Sequence, residues 1–224
     1  MNHADGLLAS ILERPSDFAS WLVTSDWLEE QGDPASAVRA ELFRLQAGRI
    51  RTSKGSARQR DLDVRAAEIL TAYPELAGPL QPLLDREFPV LSARSAVAIF
   101  LMADQTSVVA DPFAAGSTWV GEQKAGHIAC PTIVYFRERQ GNRFSGNMDE
   151  DFSDLSGRRS RGVSWFHGAV AAGSHVAFVT WKMTGDSAGP ALYQLGLNSQ
   201  LQLTGTWEVW TSRRDSMWLK QKKD

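Results

Sequence analysis

Hydrophobic positions along this chain follow two different periods. Up to residue 88 they recur three and four apart, as in Leu7, Leu8, Ile11 and Leu12, then Phe18, Trp21, Leu22, Trp27 and Leu28, then Ala37, Val38, Leu42, Phe43 and Leu45. Leu62, Ala66, Ile69 and Leu70, followed by Leu76, Leu80, Leu83 and Leu84, continue the pattern. Such spacing puts apolar side chains on one face of a helix. The punctuation agrees. Asp5 and Ser16 are candidate N-caps, Pro15 closes the first helix, Gly32 stands where a left-handed C-terminal residue is wanted, and Gly48 follows the third helix. Asp33-Pro34 sets a capping carboxylate ahead of a proline at the first helical position, and Pro74 opens the last helix before Phe88-Pro89 closes the series. Short connections predict antiparallel neighbours.

From about residue 90 the pattern changes to short apolar segments separated by Gly, Asn, Asp and Ser. Strands are predicted near 96–102, 117–123, 131–138, 142–146, 162–170, 174–183, 190–196, 200–210 and 216–221, with Gly141-Asn142, Ala171-Ala172-Gly173 and Asn198-Ser199 as hairpin turns. In Leu201–Trp210 the residues Leu203, Trp207 and Val209 share a face with Leu201, and Gln202, Thr204, Thr206 and Glu208 share the other. At about 3.3 Å per residue this stretch spans roughly 33 Å, long enough for a barrel wall. Gly205 interrupts it with a missing side chain, which marks a bend or a close approach. Two central segments are apolar on both faces: Val163, Trp165 and Ala169 oppose Phe166 and Val170, and Ala177, Val179 and Trp181 oppose Val176 and Phe178. Their outer face is therefore expected to be covered by the helical domain in preference to a second subunit. The predicted fold is α+β: a helical domain over 1–88, a connecting segment over 89–114 that carries one strand, and an antiparallel eight-stranded β-barrel over 115–224.

Composition narrows the function classes. The 224 residues are 43% apolar and 22% charged, as in ordinary globular chains. A formal charge of -2 supplies no field that would draw the chain to nucleic acid or to an acidic membrane, so neither partner is expected. The basic run Arg49, Arg51, Lys54, Arg58 and Arg60 contains no aromatic side chain on which bases could stack, and reads as a solvated connection. Cys130 is the single cysteine, which excludes an intrachain disulfide, fits a reducing compartment, and is expected to be a small buried apolar residue. The polar opening Met1–Gly6 and the interruption of the next apolar positions by Glu13 and Arg14 do not read as a cleaved leader, so a cytoplasmic location is expected. Ala96–Ala103, the longest apolar run, is far shorter than the roughly 20 residues that cross a bilayer and is predicted to be core.

Two resemblances attach to particular residues. Leu7-Leu8-Ala9-Ser10-Ile11-Leu12, Ser25-Asp26-Trp27-Leu28-Glu29-Glu30-Gln31-Gly32-Asp33-Pro34 and Arg44-Leu45-Gln46 resemble the repeat-companion domain of planctomycete-type bacterial proteins, with Trp21-Leu22-Val23-Thr24-Ser25-Asp26 where that family has an Arg-Leu-x-Tyr-Ala-Asp approach. The resemblance implies a helical adaptor without chemistry of its own. Trp27 falls on the apolar face of its helix and is predicted to be core. Gly116-Ser117-Thr118-Trp119-Val120-Gly121 and Leu203-Thr204-Gly205-Thr206-Trp207 resemble lipocalin-type, calycin-like barrels, although the early motif is Gly-x-x-Trp and the Gly-x-Trp form comes late. That resemblance implies a binding module.

No catalytic constellation stands out. His3, His127, His167 and His175 fall into no metal-ligand spacing, and His167 with His175 could meet only across a hairpin, with Asp149 or Asp151 as a third ligand. Asn147–Asp154 is acidic but carries Phe152 and Arg158 where a calcium loop needs Gly and Glu, so it reads as a solvated turn balanced by Arg158, Arg159 and Arg161. There is no Gly-x-Ser-x-Gly elbow, Walker loop or dinucleotide fingerprint, hence no catalytic residue, metal or cofactor is assigned. The aromatic set Trp119, Tyr135, Phe144, Trp165, Phe178, Trp181, Tyr193, Trp207 and Trp218 is left, and it either fills the barrel or lines a pocket in it. The expected role is a non-enzymatic binding or scaffolding protein whose partner is a protein or peptide. One alternative is a carrier of a small apolar ligand held among Trp165, Trp181, Tyr193 and Trp207. A second is a hydrolase-like enzyme using a histidine and a carboxylate at the barrel mouth.

Overall fold

The structure is a computed structural model that describes residues 2–77, 95–108, 113–126, 128–153, 159–171, 174–184, 191–209 and 214–222. The chain divides into two compact units, residues 1–107 and 108–224.

The first unit is helical, and each helix begins where a side chain can satisfy free N–H groups. In α1 (His3–Glu13) that residue is Asn2, with Asp5 completing a capping box from the third helical position rather than standing at the cap. Asp17, not Ser16, caps α2 (Phe18–Glu30). Asp33 and Pro34 open α3 (Pro34–Ile50) as the sequence predicts, after Gly32 at φ 73°. α3 runs through Gly48, because one glycine costs a helix interior only about 1 kcal/mol. Ser56 caps α4 (Ala57–Ala72), and α5 (Pro74–Ala77) is a single turn. Trp21 of α2 and Phe43 of α3, both fully buried, bring these two helices together, with their ring centroids 5.4 Å apart. Trp27 is only half-buried and packs against His3 at 5.8 Å, so the core indole of this helix is Trp21.

The strand expected near 96–102 is a helix, α6 (Ser95–Met102). Every position from Ala96 to Ala103 is apolar, so the run carries no period, and a short apolar run fits a buried helix as well as a strand. All of Ala96–Ala103 is buried, as the reading of this run as core requires. No helix among the described residues is long and apolar enough to cross a membrane.

The second unit is a closed antiparallel barrel of eight strands in meander order: β1 (Thr118–Ala125), β2 (Ile128–Gln140), β3 (Arg143–Ser153), β4 (Arg159–Ala171), β5 (His175–Thr184), β6 (Ala191–Leu197), β7 (Gln202–Val209) and β8 (Arg214–Gln221), with β8 returning to β1. The expected eight-stranded antiparallel fold is therefore present. The Gly141-Asn142 turn is present too, joining β2 to β3 with Gly141 at φ 57°. At the β6–β7 connection the turn is longer than Asn198-Ser199: the Asn198 side chain accepts the backbone N–H groups of Gln200 and Gln202, and Leu201 takes a positive φ of 56°.

Large rings alternate with glycines around the bore. Gly146 of β3 stands between Phe136 and Phe166, and Gly168 of β4 between Phe144 and Phe178. A Cβ on Gly146 would lie 2.0 Å from the Tyr135 carbonyl oxygen and 2.6 Å from the Phe166 ring, so each glycine holds space a ring already occupies. Ring contacts then run unbroken from Phe113 and Trp119, stacked at 5.6 Å, through Phe136, Phe144, Phe166 and Phe178 to Tyr193 and Trp207. The end of the barrel around Phe113 and Trp119 is thus packed with aromatic side chains.

Candidate functional site

Toward the opposite end, where β1, β3, β5 and β7 finish, the interior becomes polar. Gln123, Thr132, Glu150, Ser164 and Thr180 are all buried there, together with the hydroxyl end of Tyr193. Thr132 and Thr180 are satisfied locally: Thr132 donates to the Cys130 carbonyl at 2.9 Å, and Thr180 Oγ1 accepts the Ala191 N–H at 2.9 Å. Gln123, Glu150, Ser164 and Tyr193 instead bond to one another.

Strand alternation explains the convergence. Phe144, Gly146, Met148 and Glu150 occupy every second position of β3, and Phe144 and Met148 belong to the barrel core, so Glu150 points inward with them. The acidic stretch read as a solvated turn is therefore part of a strand as far as Ser153. Asp149 and Asp151 fall on the other face, and Asp154 lies outside the described residues. Glu150 is 2% exposed. One of its oxygens accepts the Gln123 side-chain amide, and the other accepts Ser164 Oγ at 2.9 Å. Tyr193 donates its hydroxyl to Gln123 Oε1 at 3.3 Å.

Burial pushes the Glu150 carboxyl above its ordinary range, and the hydrogen bonds from Gln123 and Ser164, with the Tyr193 hydroxyl nearby, only partly oppose this. The Tyr193 hydroxyl is driven well above its usual value by burial and by the negative charge of Glu150 beside it. Among the described residues no cationic side chain forms an ion pair with Glu150. Aromatic surface flanks the cluster. The Tyr193 ring stacks on Phe178 at 4.5 Å and lies 6.2 Å from Trp207, whose indole N–H donates to the Lys124 carbonyl at 3.0 Å.

Of the four aromatic residues expected to line a pocket, Tyr193 and Trp207 are brought together here as cross-strand partners on β6 and β7. Trp165 is not: it is 40% exposed on the outer wall, because Ser164 and Phe166 take the inward positions of β4. Trp181 is the extra residue of a bulge in β5, opposite the Trp165–Phe166 step, and its side chain lies outside the described residues. Trp119 and Phe144 are interior as expected, whereas Trp218 is 39% exposed. Tyr135 turns to the outer wall, where the Arg137 guanidinium lies 4.8 Å over its ring.

The histidines do not form a site together. His175 pairs with Ala171 and His167 with Val179, so the two are not opposite each other across the β4–β5 hairpin. His127 lies outside the described residues, and no group of three or more His, Cys, Asp or Glu that could hold a metal occurs among those described. His167 stands on the outer wall in a cross-strand row with Ser145 and Glu138. Burial holds its pKa below the usual value, partly offset by the charge of Glu138. Ser145 Oγ donates directly to Glu138 at 3.0 Å, whereas a nucleophilic triad puts the imidazole between hydroxyl and acid.

The inward Glu150 is the feature sequence reasoning missed. Its signal was present in the period-two continuation Phe144, Gly146, Met148, Glu150, hidden by the acidic residues on either side. No protein-family model matches this chain, and a search of curated proteins gives no match.

Proposed function

We propose that the protein is a non-enzymatic binding protein whose barrel takes one small, partly polar ligand at the end marked by Glu150, Gln123, Tyr193 and Trp207. The observation that carries this reading is the meeting of polar side chains from β1, β3, β4 and β6 at one place in an otherwise apolar interior. Folding gains little from a carboxyl group there, since well-packed apolar residues serve a core as well or better than buried ions. Ligand sites, by contrast, combine apolar walls with a few convergent polar groups. The unbroken ring contacts through the rest of the bore favour a ring-sized ligand over a long apolar chain. The carrier alternative thereby narrows to Tyr193 and Trp207, without Trp165.

The helical unit is proposed to be the adaptor half, with another protein or peptide as its partner. The reading rests on the Leu7–Leu12, Ser25–Pro34 and Arg44–Gln46 stretches that resemble the repeat-companion domain. For the barrel, the test is calorimetric titration of the full chain with ring-sized compounds of different charge and with a sixteen-carbon fluorescent fatty acid. Saturable binding of a ring-sized compound is expected, with no binding of the fatty acid tighter than about 1 mM. Micromolar binding of the fatty acid, or none of any ring-sized compound, would overturn the reading.

A further inference from the structure

The outer wall of β2, β3 and β4 carries a guanidinium held between an aromatic ring and an amide. Tyr135, Asn147 and Trp165 form one cross-strand row on that wall. Arg137 is the extra residue of a bulge in β2 between Phe136 and Glu138, and bulges re-aim side chains. Its guanidinium lies 4.8 Å over the Tyr135 ring, and its Nε donates to Asn147 Oδ1 at 2.8 Å. Asn147 in turn donates to Asp149 Oδ1 at 3.2 Å, which fixes the amide with its oxygen toward the arginine. A long side chain held in this way loses little further rotamer freedom on binding, and its terminal nitrogens keep the fork that matches a carboxylate. Arginine is always protonated and Arg137 is exposed, so a partner meets it without a change of ionisation or an opening of the fold.

Apolar surface lies beside this charge. Trp165 is 40% exposed at the other end of the row, and Ile133 and Val163 stand half-buried in the next row, on either side of Asp149. Trp, Tyr and Arg together are the residues in which interface centres are enriched. The barrel is closed and offers no strand edge, so a partner is recognised by side chains of the wall and not by strand addition. We propose that this wall docks an extended segment of another protein that presents a carboxylate side chain to Arg137 and an apolar one to Trp165. The spacing suits such a segment. Tyr135 and Trp165 are two strands apart, roughly 10 Å, with the guanidinium between Tyr135 and Asn147, and alternate residues of an extended peptide are roughly 7 Å apart. A polyanion such as nucleic acid would meet the charges of Asp149 and Glu138 on the same wall. The inference is independent of binding inside the barrel.

The test uses the full chain and three peptides, acetyl-Ser-Leu-Ser-X-Ser-Leu-Ser-amide with X as Glu, Gln or Lys, followed by the indole N–H resonance of Trp165. The Glu peptide is expected to shift that resonance to saturation with a Kd of about 1 mM or tighter, about threefold or more below that of the Gln peptide, with the Lys peptide weakest. In Arg137→Gln the Glu and Gln peptides should bind alike. Equal binding of the Glu and Gln peptides, preference for Lys, a Glu preference retained in Arg137→Gln, or no shift of Trp165 at about 10 mM peptide overturns the proposal. Two measurements separate the other occupants. Sedimentation should show a monomer, and self-association that Trp165→Ala abolishes would give the wall to a second copy and overturn the proposal. A neutral paramagnetic agent should broaden the Trp165 indole resonance, and protection from it would give the wall to the chain's own residues, with the same consequence. The peptide comparison on the unaltered chain decides the question even if a variant folds poorly.

Discussion

Gly146→Ala tests whether the barrel interior is as tightly filled as the ring contacts indicate. The added methyl would lie 2.0 Å from the Tyr135 carbonyl oxygen and 2.6 Å from Phe166 Cζ, against a practical limit of 3.0 Å. A phenyl ring held at 0% exposure between Phe136, Phe144 and Phe178 has nowhere to turn. The β2 backbone must then retreat by about 1 Å, enough to lengthen a ladder hydrogen bond beyond useful range. Loss of one such bond, about 1 kcal/mol, added to overpacking of about 1–3 kcal/mol, predicts a destabilisation of roughly 2–4 kcal/mol. Gly196→Ala is the internal control: it lies in β6 of the same barrel, with nothing within 4 Å of the new carbon. It should be neutral, or stabilising by about 0.4–1 kcal/mol through the unfolded chain. Urea unfolding followed by the indole N–H signals of Trp119 and Trp207 reports the barrel alone. A midpoint lowered by about 1 M or more for Gly146→Ala and unchanged for Gly196→Ala is expected. Equal midpoints, or a Gly146→Ala midpoint indistinguishable from the unaltered chain, would refute the filled bore.

Glu150→Gln should make the barrel more stable at neutral pH. With the folded carboxyl raised by burial, the cost of ionising it is absent below the ordinary value of 4.5 and grows as the pH rises from there through the folded value. Urea midpoints at pH 4, 6 and 8 should diverge with pH in favour of the variant, and parallel curves would count against a buried ionisable group. Asp5→Asn should act oppositely on the helical unit. Burial alone would raise this carboxyl, but the hydroxyl and N–H of Ser107 and the N–H of Asn2 all bond to it and hold it below 3.8. Its contribution is present above that value and lost as the pH falls through the folded value. Removing the charge should cost about 1.5–3 kcal/mol at pH 7, read from the Trp21 indole signal, and should flatten the acid limb of stability below about pH 4.

Most of the architecture was legible because it depends on periods and punctuation. Asp33-Pro34 started a helix and Gly141-Asn142 turned a hairpin, since each pair supplies dihedrals and capping groups that few other residues supply. α6 was not legible, because Ala96–Ala103 is apolar at every position and so has no phase to read. The candidate site was half legible. Tyr193 and Trp207 carry their inward direction in simple alternation along β6 and β7. The outward direction of Trp165 was not legible, because Val163, Trp165 and Ala169 oppose Phe166 and Val170 and an alternation that is apolar on both faces does not say which one is inside. Glu150 was hidden because the charge of Asp149, Glu150 and Asp151 suggested solvent, while the pleat sends the middle residue of the three to the core.

The central claim, that a ligand is held at the Glu150 end of the barrel and not elsewhere, is tested most directly by the indole N–H resonances of the full chain during titration with the ring-sized compounds. The Trp207 resonance should shift progressively to saturation, while Trp119, packed against Phe113 at the other end, stays in place. A shift of Trp119, or shifts confined to the exposed Trp165 and Trp218, would contradict the account.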